Sequence, residues 1–324
     1  MTTAAVPGDG APVPAGGVVV VGSVNVDYVI SLERAPGRGE TVLARDLEVL
    51  GGGKGATQAL AAPLSGANVE LVACVGDDGL GAQRTWELQA GGVGTGHVRR
   101  AGGKLTGMAF VHLTPDGEND IVVAPGANAL LSPADVEAAR DLLLPGTVLL
   151  GQLEVPLEAT ERAFEIAGTG VVTMLNCSPW RPLPPEMLAR VDVLVVNEHE
   201  AQALTGVAAG TLQGATEAVS ALARLGPGRV VVTLGAAGAV VSAGGQPVHV
   251  PAPPARVVDT TGAGDAFTGA MAARLAAGDD LVAAVRFGVA VGSSTTESIG
   301  ARAVVPAALL APLGPRSGVE PRVG

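Results

Sequence analysis

The sequence predicts an α/β fold, with a mostly parallel central sheet flanked by helices and a small β-sheet lid. Three observations carry this. Short β-branched runs alternate with helical patterns over most of the 324 residues, as parallel strands joined by crossover helices require. The 47 glycines cluster at predicted strand ends, where tight turns need a residue without Cβ. Two further segments break the crossover pattern and read as antiparallel strands, hence as a separate sheet.

Residues 1–16 and 312–324 are rich in Pro, Gly and small residues and are expected to be disordered. The start has neither the basic residues nor the apolar core of a signal peptide. The first strand covers 18–21 and runs into Gly22-Ser23-Val24-Asn25-Val26-Asp27. Alternation puts Asn25 and Asp27 on one face, with Val24, Val26 and Tyr28 on the other. The polar pair is either a hydroxyl-binding site or a solvated strand end.

Gly51 to Gly55, with Lys54 among them, opens a helix to about Leu60, which Pro63 is expected to end early or kink. The glycines let a ligand approach the backbone and Lys54 adds a cation; a glycine linker with a surface lysine is the alternative. The Walker spacing G-x-x-x-x-G-K-[ST] is absent.

Further strands are expected over 69–75, 147–152, 171–175, 191–196 and 230–234. Polar residues follow their ends: Glu154, Asn176, Asn197, and Thr233 with Gly235. Ligands of open α/β sheets sit outside the carboxyl ends of the strands, so these residues and Asp265 converge on one edge. Asn197 with Glu200 forms a capping box, which by itself is sufficient structural reason for both. Segments 41–49, 107–114 and 120–124, the last two joined by 115–119, form the separate sheet together with 28–32. It interrupts the main domain just after the polar pair, so it reads as a lid that keeps water from a phosphoryl donor.

The stretch Asp259-Thr260-Thr261-Gly262-Ala263-Gly264-Asp265 is the most informative. A β-branched run ends in glycines, and apolar positions Phe267, Ala270, Met271 and Leu275 follow at helical spacing, which predicts a strand, a tight turn and a helix. The N–H groups of such a helix start favour anions. Asp265, in the first turn, is placed to take a proton beside a bound phosphate. An acidic first-turn residue is also common without any ligand.

Twenty basic against 31 acidic residues, a net charge of -11, argue against a nucleic-acid partner. They leave room for a small anion held by N–H groups. Cys74 and Cys177 lie in or just after apolar runs and read as buried thiols of a reducing compartment, the cytoplasm. No apolar run approaches ~18 residues, so no membrane span is expected. Aromatic residues make up only 2%, which leaves the core to Ala, Val and Leu. The four histidines have no metal-ligand spacing.

With these residues assembled, the chain resembles the ribokinase-like, PfkB-type carbohydrate kinase family from about Val18 to Pro306. The motifs are GSVNVD, GGGKGATQALAA, LVACVGDDGLG, PGAN, QLE, NEHEAQALTG, VTLGAAGA and DTTGAGDAFTGA, in the family's order. The resemblance implies a kinase domain over 17–311, with lid strands drawn from about 26–50 and 105–125, that often dimerises through the lid sheet. It implies ATP-dependent phosphorylation of a sugar's terminal hydroxyl, with D-ribose to D-ribose 5-phosphate the first expectation. Another pentose, a deoxyribose, a ketohexose or a nucleoside is the alternative. By similarity Asp265 is the base, and the N–H groups of Gly262, Ala263, Gly264 and Asp265 form the anion hole. Asn25, Asp27, Gly53, Lys54, Thr57, Glu154 and Asp265 match sugar contacts. Asn197, Thr233, Leu234, Gly235, Ala236, Gly238, Gly264 and Val289 match nucleotide contacts. Glu200 belongs to a motif associated with magnesium and phosphate. Asp259, Thr261, Thr295, Ser298 and Gly300 match a monovalent-cation site, usually for potassium.

Departures from the family pattern are specific. Thr57 stands where an Asn is usual and cannot offer an amide's paired donor and acceptor. Val289 replaces a frequent polar residue near the adenine, and Val304 replaces a frequent Ser at the cation site. The paucity of aromatics argues against a nucleoside substrate. A silent sugar- or nucleotide-binding protein is disfavoured by the intact GAGD turn. A dinucleotide-binding oxidoreductase is set aside for want of G-x-G-x-x-G after the first strand.

Overall fold

The computed structural model describes residues 16–114, 119–243, 246–298, 300 and 303–310. The expected end segments therefore lie outside it apart from residue 16, as does most of the expected 115–119 turn. Strands among the described residues are β1 (Val18–Val21), β2 (Asn25–Ser31), β3 (Asp46–Gly52), β4 (Val69–Gly76), β5 (Val93–Ala101), β6 (Gly107–Leu113), β7 (Asn119–Ala124), β8 (Val148–Gly151), β9 (Val172–Asn176), β10 (Val193–Asn197), β11 (Arg229–Thr233), β12 (Ala239–Ala243) and β13 (Gln246–Val250). The helices are α1 (Lys54–Leu64), α2 (Gly79–Ala90), α3 (Pro133–Glu137), α4 (Leu157–Ile166), α5 (Pro185–Leu188), α6 (Glu198–Thr205), α7 (Leu212–Ala223), α8 (Ala263–Ala276), α9 (Leu281–Thr295) and α10 (Ala307–Leu310).

Nine strands form the main sheet in the order β13-β12-β11-β10-β9-β8-β1-β4-β5. All pairs are parallel except β11–β12 and β12–β13. The chain builds outward from β1 to β4 and β5, then returns to β1's other side with β8. The order therefore reverses between β1 and β8, the switch point at which open α/β sheets hold ligands. The four valines of β1 are all buried, and they alternate between faces. Val19 and Val21 join a core under α4, α6 and α7. Val18 and Val20 join one under α1, α8 and α9. Residues buried on both sides explain the unbroken β-branched runs.

A second sheet, in the order β3-β2-β6-β7, stands apart. Its outer pairs are antiparallel, as the sequence suggests, but the central pair β2–β6 is parallel. The strand expected over 41–49 lies instead at Asp46–Gly52. Asn25 pairs with Gly52 and Ser31 with Asp46, so β2 ends before residues 41–45 could find a partner. Helix α1 passes the expected stop near Leu60 and includes Pro63. The helix stops one residue after the proline, which lacks the N–H to continue the ladder to the carbonyl four residues before it.

Helices α1 and α8 cross on small residues. A Cβ on Gly269 would lie 2.2 Å from the Gln58 carbonyl oxygen and 2.8 Å from the Ala61 Cβ. Gly269→Ala is therefore expected to cost about 1–3 kcal/mol by overpacking, read as a lower urea midpoint at unchanged m-value. A midpoint equal to that of the parent would mean that the crossing is looser than described.

Candidate active site

The site forms where β1, β8, β9, β10 and β11 end and α1 and α8 begin. Gly53 takes φ 87°, a left-handed conformation that favours glycine. A Cβ there would also lie 2.7 Å from the Asn25 nitrogen. This close passage sets the Lys54 N–H 2.9 Å from Glu154 Oε2, which also accepts the Ser23 hydroxyl at 2.5 Å. Glu154 is thus fixed by β1's exit and by the first residue of α1.

Asn25 is buried, and its Oδ1 accepts from Asn128 Nδ2 at 2.7 Å. Asn128 also clamps Val24 through its N–H (2.8 Å) and carbonyl (3.2 Å). Asp27 leans over Gly52, where a Cβ would meet its carboxylate at 2.0 Å. Its Oδ1 is buried without a hydrogen-bond partner. Burial raises the Asp27 pKa to about 6, with help from the negative charges of Glu154 and Asp265 and against the Arg84 cation.

Asp265 lies in the first turn of α8, whose N-cap Gly262 is left-handed at φ 73°. Gly264 follows Ala263 into that turn, where helix N–H groups lack intrahelical partners. The Ala263 N–H makes a 3.2 Å turn bond to the Thr260 carbonyl, so one expected anion-hole donor is already engaged. Asp265 Oδ1 accepts from Gln58 Nε2 at 2.8 Å. The charge of Asp265, followed by those of Glu154 and Glu200, raises the Lys54 pKa against its burial. Burial raises the Glu200 pKa, while bonds from Asn197 and Ser178 and the Lys54 charge oppose it.

On the other side, Asn197 and Glu200 complete the expected capping box. Asn197 pairs with Thr233 across β10–β11, and Leu234 to Gly238 fold into a tight turn closed by a 2.8 Å bond from the Leu234 N–H to the Gly238 carbonyl. Val289 is buried on α9 with the core beneath it. Asp259 accepts the Thr261 N–H (2.8 Å) and the Gly300 N–H (2.8 Å), which ties three of the expected cation-site residues together. The Thr295 hydroxyl, by contrast, donates to the Val291 carbonyl and accepts the Val304 N–H. Ser298 is exposed, and Thr57 is buried in α1.

Sequence reasoning gave no role to Ser23, Gln58, Arg84, Asn128 or Gln152. One signal was available: Gln58 is four residues after Lys54 in a helix and so shares its face. Among the described residues no group of three or more His, Cys, Asp or Glu could hold a metal. No helix among them is long and apolar enough to cross a membrane.

Polar side chains on one side, a helix N-terminus on the other, and a lysine and a carboxylate between them form a layout suited to phosphoryl transfer. The chain belongs to the pfkB family of carbohydrate kinases, whose pattern matches residues 16–308. Haemophilus influenzae ribokinase is 36% identical over 290 residues, 89% of this chain and 95% of that protein. Salmonella typhi deoxyribokinase is 34% identical over 271 residues, 83% and 89% of the two chains. The Arabidopsis thaliana ribokinase structure, complexed with ribose and ATP, superposes with a TM-score of 0.81 at 34% identity, covering 89% of this chain and 94% of that one.

The raised Asp27 pKa fixes the sign of a stability effect. The folded protein binds this proton more tightly than the unfolded chain does, so the group's contribution falls as pH rises from 3.8 to about 6. Above that window Asp27→Asn is expected to stabilise the ligand-free protein by about 1–2 kcal/mol, with little difference at pH 4. Unfolding curves at the two pH values test this, and an equal effect at both would contradict the assignment.

Proposed function

We propose that the protein transfers the γ-phosphoryl group of ATP to the terminal hydroxyl of D-ribose, giving D-ribose 5-phosphate and ADP. The observation that carries this is the Asp265 carboxylate at the α8 N-terminus, facing the Lys54–Glu154–Asp27 group, in a chain about a third identical to ribokinases over nine-tenths of its length. Asp265 takes the hydroxyl proton as the new O–P bond forms and the bond to the ADP oxygen breaks. The proton then leaves to solvent after release of product. N–H groups of Gly262, Gly264 and Asp265 carry the developing charge on the phosphoryl oxygens, while that of Ala263 serves the turn through the Thr260 carbonyl.

Asn25, Asp27, Gly53, Lys54 and Glu154 hold the sugar, with Thr57 beside them. Asn197, Thr233, Leu234, Gly235, Ala236, Gly238 and Val289 form the nucleotide side. The buried Glu200 would hold the water shell of a magnesium ion brought by ATP, an ion that prefers to keep its water and would neutralise charge on the phosphates. The second sheet acts as the lid. Leu47 and Val49 at 54% and 52% exposure, with Val122 at 60%, share the lid face opposite Asp27, the apolar surface through which two copies would pair. Two buried free cysteines and the use of ATP suit the cytoplasm.

Potassium is the proposed activator. Asp259 and its ties to Thr261 and Gly300 support a cation there, but the engaged Thr295 hydroxyl leaves coordination to backbone carbonyls and the Asp259 carboxylate. Rates in potassium should exceed those in sodium or in Tris alone, and equal rates in all three would refute the role. A second reading, 2-deoxyribose as substrate, rests on Thr57 and on the similarity to deoxyribokinase.

An ADP-release assay over ribose, 2-deoxyribose, fructose and adenosine separates the readings. Ribose is expected to have the highest kcat/KM, and a higher value for 2-deoxyribose would transfer the assignment. Asp265→Asn is expected to lower kcat at least 10³-fold with sugar and ATP binding kept. Residual activity within tenfold of the parent would place the base elsewhere.

A further inference from the structure

Behind Asp265 lies a chain of buried amides to which neither the sequence patterns nor the comparisons assign a role. Gln58 and Gln152 are both fully buried. Gln58 Nε2 donates to Asp265 Oδ1 at 2.8 Å and to Asn176 Oδ1 at 2.9 Å. Gln58 Oε1 accepts from Gln152 Nε2 at 2.7 Å. The three groups come from α1, β9 and the end of β8, so they join at one point the helix that carries Lys54, the sheet edge and the base.

The orientation of the chain follows from the carboxylate. An ionised Asp265 only accepts, so Gln58 must turn its NH2 toward it. Gln58 Oε1 then faces Gln152, which must present its own NH2. The consequence is Gln152 Oε1, buried with no hydrogen-bond partner. Leaving a buried acceptor unpaired typically costs about 1–3 kcal/mol, a cost that follows from the orientation imposed at the other end of the chain. The Asp265 carboxylate keeps them as they are.

We propose that Gln58, braced by Gln152, is the positioning residue of the base. It holds Asp265 Oδ1 so that Oδ2 is the oxygen that meets the substrate hydroxyl and receives its proton. This rests on the reading of Asp265 as the base. Other charged groups share its surroundings: Lys54 from α1, Asp27 from β2 and Glu200 from α6. These act on Asp265 through their charge, whereas Gln58 grips one of its oxygens by a hydrogen bond.

The test compares Gln58→Leu, Gln58→Glu and Asp265→Asn in the full-length enzyme, with kcat and both KM values measured from pH 6 to 8.5. Gln58→Leu keeps the volume and removes the donor. It is expected to lower kcat on the order of 10²-fold, as misplacement of a reacting group can, while KM for sugar and for ATP stays within threefold. In Gln58→Glu, the introduced carboxyl group can donate to Asp265 when protonated and repels it when ionised. Its kcat relative to the parent enzyme should therefore rise at least fivefold as pH falls across that range. A packing defect alone would give a flat ratio, so this readout holds even if Gln58→Leu is unstable. An active Asp265→Asn would remove the underlying reading. An inactive Asp265→Asn, together with a Gln58→Leu kcat within threefold of the parent or a flat Gln58→Glu ratio, would overturn this proposal alone.

Discussion

The close approach of α1 to α8 is the contact on which the site depends. One helix begins with Lys54 and the other carries Asp265 in its first turn, and each is oriented by a glycine with positive φ. They pack without intervening side-chain bulk, Gly269 against the Gln58 carbonyl. This keeps a cation, a carboxylate and a helix N-terminus within one pocket. The sheet beneath contributes its switch point between β8 and β1, so Glu154 and Asn25 arrive from the two sides of the reversal. Electrostatics then follows from geometry: three carboxylates surround one lysine, which keeps that lysine charged, while Asp27 at the margin stays closer to neutrality.

Much of this was legible in the sequence because it follows from local rules. Strands buried on both faces read as β-branched runs, and β1, β4, β8, β9, β10 and β11 appear near their expected places. The convergence of Glu154, Asn176, Asn197 and Thr233 on one edge follows from parallel strands alone; Asp265 joins them at the start of α8 although the strand expected before its glycine turn does not form, residues 251–260 being irregular. The Asn197–Glu200 box was visible as a pattern and has the expected geometry.

What was missed lacks a local signature. β5 (VGTGHVRRA) is an edge strand whose half-exposed residues imitate a loop. β13 contains a proline, tolerated at the edge of the sheet. The register of β3 depends on where β2 stops, a fact held elsewhere in the chain. Gln58 and Gln152 look like ordinary surface glutamines, and only the tertiary fold buries them and aims one at Asp265. Pro63 marks the stop of α1, which ends one residue after it, and only the bound near Leu60 was short.

The way the second sheet is rooted has a mechanical consequence. β2 starts at Asn25, β3 ends two residues before Lys54, β6 starts at Gly107, and β7 ends just before the segment that holds Asn128. Every chain passage into or out of this flap on that side is continuous with a residue of the pocket, and Asn128 cross-links two of them by bonding to Val24 and Asn25. Any swing of this sheet would therefore act as a lever whose short arm is the side of the pocket lined by Asn25 and Gly52. A molecule that bridged Asn25 and Lys54 would stiffen that fulcrum, joining the root of the second sheet to α1.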